Sequence, residues 1–136
     1  MIVVDTHLIA YLYLESKYAP QAEQALLKDA HWVAPLLWRG EFRNVLALYL
    51  RKRLLSLERG QQIMNEALHL MQDGEYEVDS DHVLRLVAAS NCSAYDCEFV
   101  ALAQELESPL VTMDKKILHN FPKVAISAVT YIGSPV

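Results

Sequence analysis

The sequence predicts an α/β fold, a three-layer α/β/α sandwich around a short, mostly parallel central sheet. Two β-branched runs, Ile2-Val3-Val4 and Pro109-Leu110-Val111-Thr112, have the composition of buried strands. Most of the chain between them has helical periodicity. Short strands that alternate with helices imply parallel strands joined by right-handed crossovers, which places helices on both faces of the sheet.

The remaining elements follow in chain order from periodicity and from residues that start or stop helices. Helices are predicted near residues 6–14, 20–29, 36–53, 57–72, 80–90 and 94–107, and weaker strands at 75–78 and 124–126. Pro35 fits the start of the third helix, and Gly74 marks the end of the fourth. Asp79 or Ser80 caps the fifth helix in this interpretation.

Size and composition predict a single domain spanning residues 1–136. A chain of 136 residues is close to the commonest domain length and buries about two-thirds of its unfolded surface. The sequence has no repeat or linker, and its 53% hydrophobic and 21% charged residues exclude a disordered chain. Cys92 and Cys97 have neither CxxC spacing nor a nearby histidine pair, so we expect reduced thiols rather than a zinc site.

Charge and hydropathy restrict the partners of the chain. No apolar run approaches the roughly 18 residues that span a bilayer, and the N-terminal segment lacks a positive charge, so we expect a cytoplasmic protein without a membrane partner. The net charge of −5 repels nucleic acid at long range, which argues against a binder that relies on a basic surface. An enzyme that gathers acids around divalent cations stays compatible, because the bound ions reverse the local field.

Two acids follow the two predicted buried strands. Asp5 comes directly after the first strand, and Asp114 comes two residues after the second. The carboxyl ends of parallel strands lie at one edge of a sheet, where ligands bind in open α/β folds, so we expect both carboxylates in one site. Helix capping is the alternative for each, since Asp5 precedes a helix and Asp114 precedes the short segment 115–119.

Glu41 is a third candidate because it lies inside a long helix on an apolar stripe. Its neighbours at helical spacing are Leu37, Val45 and Leu48. An ionised carboxylate on such a face needs a metal, a base or water as its partner. The alternative to a metal is a glutamate at the rim of the core that pairs with Arg39, Arg43 or another base.

Asp96 is the fourth candidate, at the start of another apolar helix face. It shares that face with Phe99, Val100 and Ala103. The segment from Ser93 to Asp96 also has the pattern of a capping box, with Ser93 as the cap and the acid three residues later. The two interpretations are compatible, since a carboxylate near a helix start can accept amide hydrogens and still direct an oxygen at a metal.

Carboxylates that cluster within a few ångströms stay ionised together only if a cation compensates them; otherwise one or more pKa values rise. Ligands that are all oxygen favour Mg²⁺ or Mn²⁺ over zinc. Such an ion can activate a bound water as the nucleophile, which suits a chain without a GxSxG motif or an obvious Cys–His pair. The spacing of the acids therefore indicates metal-dependent hydrolysis, provided that the four meet.

Four segments in order, spread over the whole chain, carry a family resemblance. They are Ile2–Thr6, Trp38–Leu46, Ser93–Ala103 and Pro109–Lys116, each with one of the four acids. With these segments the sequence resembles the PIN-domain nucleases, and among them the VapC toxins of bacterial and archaeal toxin–antitoxin pairs. A single segment is a weak motif, but four in order over one domain of this size are specific.

The resemblance implies a PIN-like fold and hydrolysis of RNA phosphodiester bonds with Mg²⁺ or Mn²⁺. It implies that the catalytic and metal-binding acids are Asp5, Glu41, Asp96 and Asp114. Five further residues are candidates for holding these acids or contacting RNA: Thr6, Asn44, Ser93, Glu98 and Thr112. His7 departs from the family, which usually has a small polar residue there. It either tunes the metal site or is a partly exposed histidine at a helix start.

The resemblance also implies a cognate antitoxin as protein partner, and a homodimer. The helix at 54–71 has an apolar set that one core need not bury completely: Leu54, Leu55, Leu57, Ile63, Met64, Ala67, Leu68 and Met71. Packing of this helix on the sheet explains the same stripe, so most of the support for a dimer comes from the resemblance.

Two other functions are compatible with the sequence. One is metal-dependent hydrolysis of a small phosphate ester, for which Asp5 and Asp114 would also serve. The other is an interaction module of PIN-like fold in which the acids only cap helices. The chain has no glycine-rich phosphate cradle, which argues against nucleotide binding of the P-loop or dinucleotide type.

Overall fold

Five short strands form one all-parallel sheet in the computed structural model, which describes residues 1–135. The strands are β1 Ile2–Val4, β2 Trp32–Pro35, β3 Glu75–Tyr76, β4 Leu110–Thr112 and β5 Ala125–Ser127. Their order across the sheet is β3-β2-β1-β4-β5. The parallel sheet predicted from the alternation of strands and helices is confirmed.

Helices cover both faces of the sheet, which confirms the three-layer arrangement. They are α1 Thr6–Tyr13, α2 Ala19–Lys28, α3 Trp38–Arg51, α4 Leu57–Met71, α5 Ser80–Ala88, α6 Ala94–Leu106, α7 Lys115–Asn120 and α8 Ala128–Gly133. The helices α1 to α4 and α8 pack together on one side, while α5 packs on α6, which contacts β1, β2 and β4 from the other. Within residues 1–135, no helix is both long enough and apolar enough to cross a membrane.

The prediction for Pro35 is wrong, because this residue ends a strand that the sequence analysis missed. Pro35 is the last residue of β2 and is buried. The next amide, from Leu36, donates to the carbonyl oxygen of Tyr76 at 3.0 Å, and a turn at Leu36 and Leu37 then leads into the helix. The helix α3 therefore begins at Trp38, two residues later than predicted.

The buried face of α3 also differs from the predicted stripe. Leu48, which was assigned to the same face as Glu41, is 48% exposed. The core instead receives Trp38, Phe42 and Leu46. Glu41 itself is half-buried, on a helix that packs on α1 and α4.

Two predicted helix boundaries are confirmed by local contacts. Asp79, rather than Ser80, caps α5, because its carboxylate accepts the His82 amide at 3.3 Å. Gly74 follows the end of α4, where a Cβ atom would lie 2.2 Å from the carbonyl oxygen of Trp32. Only glycine fits this close approach, which lets the chain turn directly from α4 into β3.

Candidate active site

The topology of the sheet places two strand ends side by side. The chain passes from β1 to β2 on one side of the sheet, whereas β4 continues to β5 on the other. The gap between β1 and β4 is thus the switch point at which open α/β sheets bind ligands. The register pairs Val4 with Val111, which puts Asp5 beside Thr112.

Asp5 is fixed by contacts from both strands. It caps α1, with Oδ1 accepting the Leu8 amide at 2.9 Å, and it is only 7% exposed. The hydroxyl of Thr112 donates to its Oδ2, and the same hydroxyl oxygen accepts the Asp114 amide at 3.0 Å. Thr112, fully buried, therefore links the two acids predicted to share this edge of the sheet.

Burial raises the pKa of Asp5 above its ordinary value of 3.8, because a carboxylate away from water is disfavoured. The hydrogen bonds from Thr112 and Leu8 oppose this shift, as does the nearby His7. The negative charge of Asp114 adds to the increase. Asp5 is thus a buried acid whose ionised form is held by hydrogen bonds and disfavoured by its surroundings.

Asp114 is the exposed member of this pair. Its Oδ1 caps α7 by accepting the amides of Lys116 at 2.9 Å and Ile117 at 3.0 Å. Its Oδ2 accepts no hydrogen bond from residues 1–135. Capping and a functional role are therefore compatible here, since one oxygen caps the helix and the other faces away from it.

Glu41 pairs with a hydroxyl group, and neither of the candidate arginines forms a salt bridge with it within residues 1–135. The Thr6 hydroxyl donates to its Oε1 at 2.7 Å, which joins the first turn of α3 to the first turn of α1. Burial raises the pKa of Glu41; the Thr6 hydrogen bond opposes this, and the charges of Asp96 and Asp5 add to it.

Asp96 lies in the first turn of α6 beside its cap. Ser93 caps the helix, as the capping-box pattern predicted, by accepting the Asp96 amide at 3.1 Å. Burial raises the pKa of the Asp96 carboxylate, and the charge of Asp114 raises it further. Contacts with Ser93 and the charge of Lys116 act in the opposite direction.

The charges of Asp5, Glu41, Asp96 and Asp114 affect one another's pKa values, and we call these four residues the acid ring. Asp114 raises the pKa of both Asp5 and Asp96, and Asp5 and Asp96 both raise the pKa of Glu41. None of the four forms a salt bridge with a residue in the range 1–135. The ring is therefore a concentration of negative charge that Lys116 and His7 offset at a distance and that no salt bridge within residues 1–135 neutralises.

The donor set of the acid ring fits a hard divalent cation, but its geometry is open. All the ligands are carboxylate oxygens, as Mg²⁺ and Mn²⁺ prefer, and the raised pKa values are those that a bound positive charge would reverse. In the part of the chain that the structure describes, no three His, Cys, Asp or Glu side chains are close enough to hold one metal ion. In this geometry the carboxylates interact through their charges without converging on one ion.

A cavity of about 200 Å³ opens beside the acids and is lined by Asp5, His7, Tyr11, Met113 and Asp114. Glu41 and Asp96 lie outside this cavity. Neither Tyr11 nor Met113 was among the site residues predicted from the sequence. Tyr11 lies four residues after His7, the spacing of one helix face, and this signal could have identified it.

The five supporting candidates differ in how they contact the acid ring. Thr6 and Thr112 each donate a hydrogen bond to an acid, and Ser93 caps the helix that carries Asp96. Glu98 is near the ring, since burial and the charge of Glu41 raise its pKa. Asn44 is exposed and forms no side-chain hydrogen bond with residues 1–135, so its role stays a prediction.

The family model described as "PIN domain" matches residues 2–126. The chain is 28% identical over 127 residues to "Ribonuclease VapC3" of Pyrobaculum aerophilum, covering 89% of this chain and 95% of that protein. Among solved structures it is similar to FitAcB from Neisseria gonorrhoeae, with a TM-score of 0.75, 15% identity and coverage of 95% and 99%. A toxin–antitoxin complex from Klebsiella pneumoniae matches with a TM-score of 0.70, 16% identity and coverage of 94% and 98%. These two structural likenesses concern the fold.

Proposed function

This chain belongs to the PIN domain family, and from that premise we propose that it is a metal-dependent endoribonuclease that hydrolyses RNA phosphodiester bonds. The observation that carries the proposal is the acid ring at the sheet's switch point, formed by Asp5, Glu41, Asp96 and Asp114. A structural role for four interacting carboxylates would favour pairing with lysine or arginine. A catalytic role explains why the counter-charge is left to a bound ion.

The four acids would together hold Mg²⁺ or Mn²⁺. When bound, such an ion polarises the phosphate and lowers the pKa of a water molecule so that it can attack phosphorus. Hydrogen bonds within the protein orient three of these carboxylates. Thr112 orients Asp5, and Thr6 orients Glu41, each through one hydrogen bond. The α7 amides hold one oxygen of Asp114.

Water, rather than the ribose hydroxyl, is the proposed nucleophile. Its oxygen bonds to phosphorus as the bond from phosphorus to the 3′ oxygen breaks, and the leaving oxygen takes up a proton. The products are a 5′-phosphate and a 3′-hydroxyl end. The two thiols are poor alternative nucleophiles, because Cys92 and Cys97 are buried and burial raises the pKa of each.

The biological role that we propose is that of a toxin paired with a cognate antitoxin protein. The support is the similarity to a protein named Ribonuclease VapC3 and to a chain from a toxin–antitoxin complex. Cellular RNA would be the substrate, which makes the cytoplasm the proposed place of action. An antitoxin segment that places an arginine or lysine among the acids would neutralise the ring and compete with the metal.

We also propose a homodimer. The exposed apolar surface available for it is smaller than the predicted apolar set at 54–71. Of the set predicted on α4 and the turn before it, Ile63, Ala67 and Met71 are in the core. Leu54 and Leu57 are each 64% exposed and are available to a second copy. Light scattering that gives only the monomer mass at tens of micromolar would contradict the dimer.

The test of the proposed function is cleavage of RNA by the purified chain. We expect cleavage with Mg²⁺ or Mn²⁺, none in excess EDTA, and new ends that a 5′-phosphate-dependent ligation captures. Asp5→Asn, purified identically, controls for contaminating nucleases. The metal mechanism would be contradicted if the parent cut RNA equally well in EDTA and the Asp5→Asn variant did not cut it. Hydrolysis of nucleoside monophosphates without RNA cleavage would indicate the small-molecule phosphatase instead. Failure both to bind Mn²⁺ and to cut RNA would indicate the interaction module.

A further inference from the structure

A row of aromatic side chains leads away from the cavity that contains Asp5 and Asp114. His7 and Tyr11 are four residues apart on α1, so they lie on one face of the helix, and their ring centroids are 6.4 Å apart. Both line the cavity beside the acids. The helix that Asp5 caps thus carries aromatic rings outward from the acid ring.

The row continues from α1 onto the loop that precedes α2. The Tyr18 ring centroid is 5.1 Å from that of Tyr11, and the Lys17 ammonium lies 5.0 Å from the Tyr18 centroid. Ser16 fixes this loop, since its hydroxyl accepts the Tyr18 amide at 3.1 Å and its carbonyl accepts the Ala19 amide at 3.2 Å. The loop therefore holds Tyr18 and Lys17 in a defined position.

These side chains, the aromatic row, combine stacking surfaces with one cation. The row consists of His7, Tyr11, Tyr18 and Lys17. His7 and Lys17 are exposed, and Tyr11 and Tyr18 are half-buried, so each tyrosine packs on its neighbours and still presents part of its surface. The ring planes are tilted by 40° and 44° within the two pairs, so the rings do not cover one another completely.

We propose that the aromatic row is the binding track for single-stranded RNA, on which the bases next to the cleaved phosphate stack. This proposal rests on the proposed ribonuclease function. A chain with net charge −5 and a ring of carboxylates gains little from long-range attraction to phosphates. Stacking of bases on aromatic side chains supplies affinity that does not depend on net charge, and Lys17 supplies a local phosphate contact.

The strand that fits this track is unpaired. The bases of a duplex are stacked on one another and hydrogen-bonded in pairs, so their faces are closed to protein side chains, whereas single-stranded bases can splay out and stack on tyrosine. The simpler explanation of the contact between Tyr11 and Tyr18 is that it joins α1 to the following loop. That role would be insensitive to the RNA and would appear in thermal melting alone.

The experiment measures binding and cleavage of the same RNA by the full chain. The probe is a 5′-fluorescein-labelled 20-nucleotide RNA of random sequence, with Kd from anisotropy in EDTA and KM from cleavage in Mn²⁺. We expect Tyr18→Ala to raise Kd and KM about tenfold with kcat within about twofold, and Tyr18→Phe, which keeps the ring, to stay near the parent. Tyr18→Leu keeps apolar packing without the ring and serves if the alanine variant does not fold.

Lysine variants provide the matched pair for charge. Lys17→Ala should weaken binding in low salt and reduce the slope of log Kd against log salt concentration by about 0.7, the value for one phosphate contact on a single strand. Lys123→Ala removes the same charge from an exposed position that lines a different cavity, and it should leave Kd unchanged. A 20-base-pair RNA duplex of matched composition should compete poorly with the labelled strand.

Three results would overturn the proposal: parental Kd and KM in folded Tyr18→Ala and Tyr18→Leu, equal losses in Tyr18→Phe and Tyr18→Ala, or equal affinity for duplex and single strand. Assays of the parent protein distinguish failure of the proposed track from failure of the proposed ribonuclease function. A parent that binds the strand through Tyr18 but does not cut it contradicts the ribonuclease and leaves the track standing. A parent that cuts RNA with no dependence on the row contradicts only the track, and a parent that neither binds nor cuts contradicts both.

Discussion

Glu75 and the four acids of the acid ring have opposite electrostatic environments. At β3, Glu75 is held by Arg39, whose Nε and Nη2 each donate to it at 2.6 Å, and by the Trp38 indole at 2.8 Å. The hydrogen bonds from Arg39 lower the pKa of Glu75. In the acid ring, burial and neighbouring carboxylates raise the pKa of Asp5, Glu41 and Asp96.

The comparison shows how one fold assigns acids to different tasks. Arg39 was a candidate partner for Glu41, two residues along the chain, but the fold places it against Glu75. This ion pair neutralises Glu75, which joins β3 to α3. Among residues 1–135, the hydrogen-bond partner of the Glu41 carboxylate is the Thr6 hydroxyl, which can orient a carboxylate but cannot neutralise it. A site that must accept a cation requires acids that the protein's own bases leave unpaired.

Replacing the glutamate by glutamine in each region tests whether the two regions differ in function. Glu41→Gln should reduce RNA cleavage by more than about 100-fold, beyond the range typical of residues that only support a metal ligand. Glu75→Gln should keep cleavage within about threefold, because Glu75 lies outside the acid ring. Initial cleavage rates at saturating RNA and Mn²⁺ provide the measurement. Similar losses in both variants would remove the functional distinction between the two regions.

A smaller effect is expected at the residue that joins two members of the acid ring. Thr112→Val keeps the shape of the side chain and removes the hydroxyl that donates to Asp5 and accepts the Asp114 amide. We expect cleavage to fall about 10- to 100-fold, with weaker Mn²⁺ affinity. We also expect a loss of about 1–3 kcal/mol in the free energy of unfolding, since buried polar groups lose a partner.

Urea unfolding of the Thr112→Val variant measures the change in stability. Its cleavage rate at several Mn²⁺ concentrations measures the change in Mn²⁺ affinity. Recovery of most activity at high Mn²⁺ supports a role in positioning Asp5. A variant with parental activity and parental Mn²⁺ dependence would show that the hydrogen bond to Asp5 serves stability alone.

The smallest expected effect is on stability, at the salt bridge between Arg39 and Glu75. The direction of its pH dependence can be checked. Glu75→Gln should cost about 1–2 kcal/mol, a modest value because the Arg39 side chain is 43% exposed and screened by water. The pKa of Glu75 is lowered in the fold from 4.5, so its contribution is present above that value and is lost as the pH falls through the folded pKa.

The measurement is urea unfolding of the parent and Glu75→Gln between pH 7 and pH 3. The difference in unfolding free energy should be constant from pH 7 to about 6 and should shrink below pH 4.5 as the parent's Glu75 becomes protonated. A difference that grows on acidification would contradict the assignment of Glu75 as the stabilised, ionised partner of Arg39.

Much of the fold could be predicted because its strongest patterns are local. The runs at β1 and β4 and the long periodic helices are visible without tertiary information, and so is the Ser93 cap. The strand β2 was missed because it contains only one β-branched residue, Val33, and ends in Pro35, a residue equally typical of helix starts. The rotation of α3 was missed because periodicity alone did not decide between Leu48 and the bulkier Trp38 and Phe42 for the core.

The site was predictable at the level of strand ends and less so at the level of contacts. Parallel topology alone puts Asp5 and Asp114 at one edge. The register of β1 and β4, which brings Thr112 to Asp5, depends on packing that a single sequence does not contain. The same holds for the pairing of Arg39 with Glu75, because the position of Glu75 depends on the pairing of β3 with β2. The cavity residue Tyr11 was missed because an aromatic residue at helical spacing usually belongs to the core.

The most direct test of the acid ring is thermal melting of the parent and Asp96→Asn, in EDTA and in Mn²⁺. In EDTA the variant should melt at or above the parent's Tm, because burial and Asp114 disfavour the ionised carboxylate that it removes. Mn²⁺ at about a hundredfold over its Kd should raise the parent's Tm by roughly 5 °C or more and the variant's by much less. Ser93→Ala, which removes the cap and keeps the acid, should melt lower in EDTA and still gain from Mn²⁺. An Asp96→Asn protein that melts several degrees below the parent in EDTA and gains as much from Mn²⁺ would contradict the acid ring as a cation site.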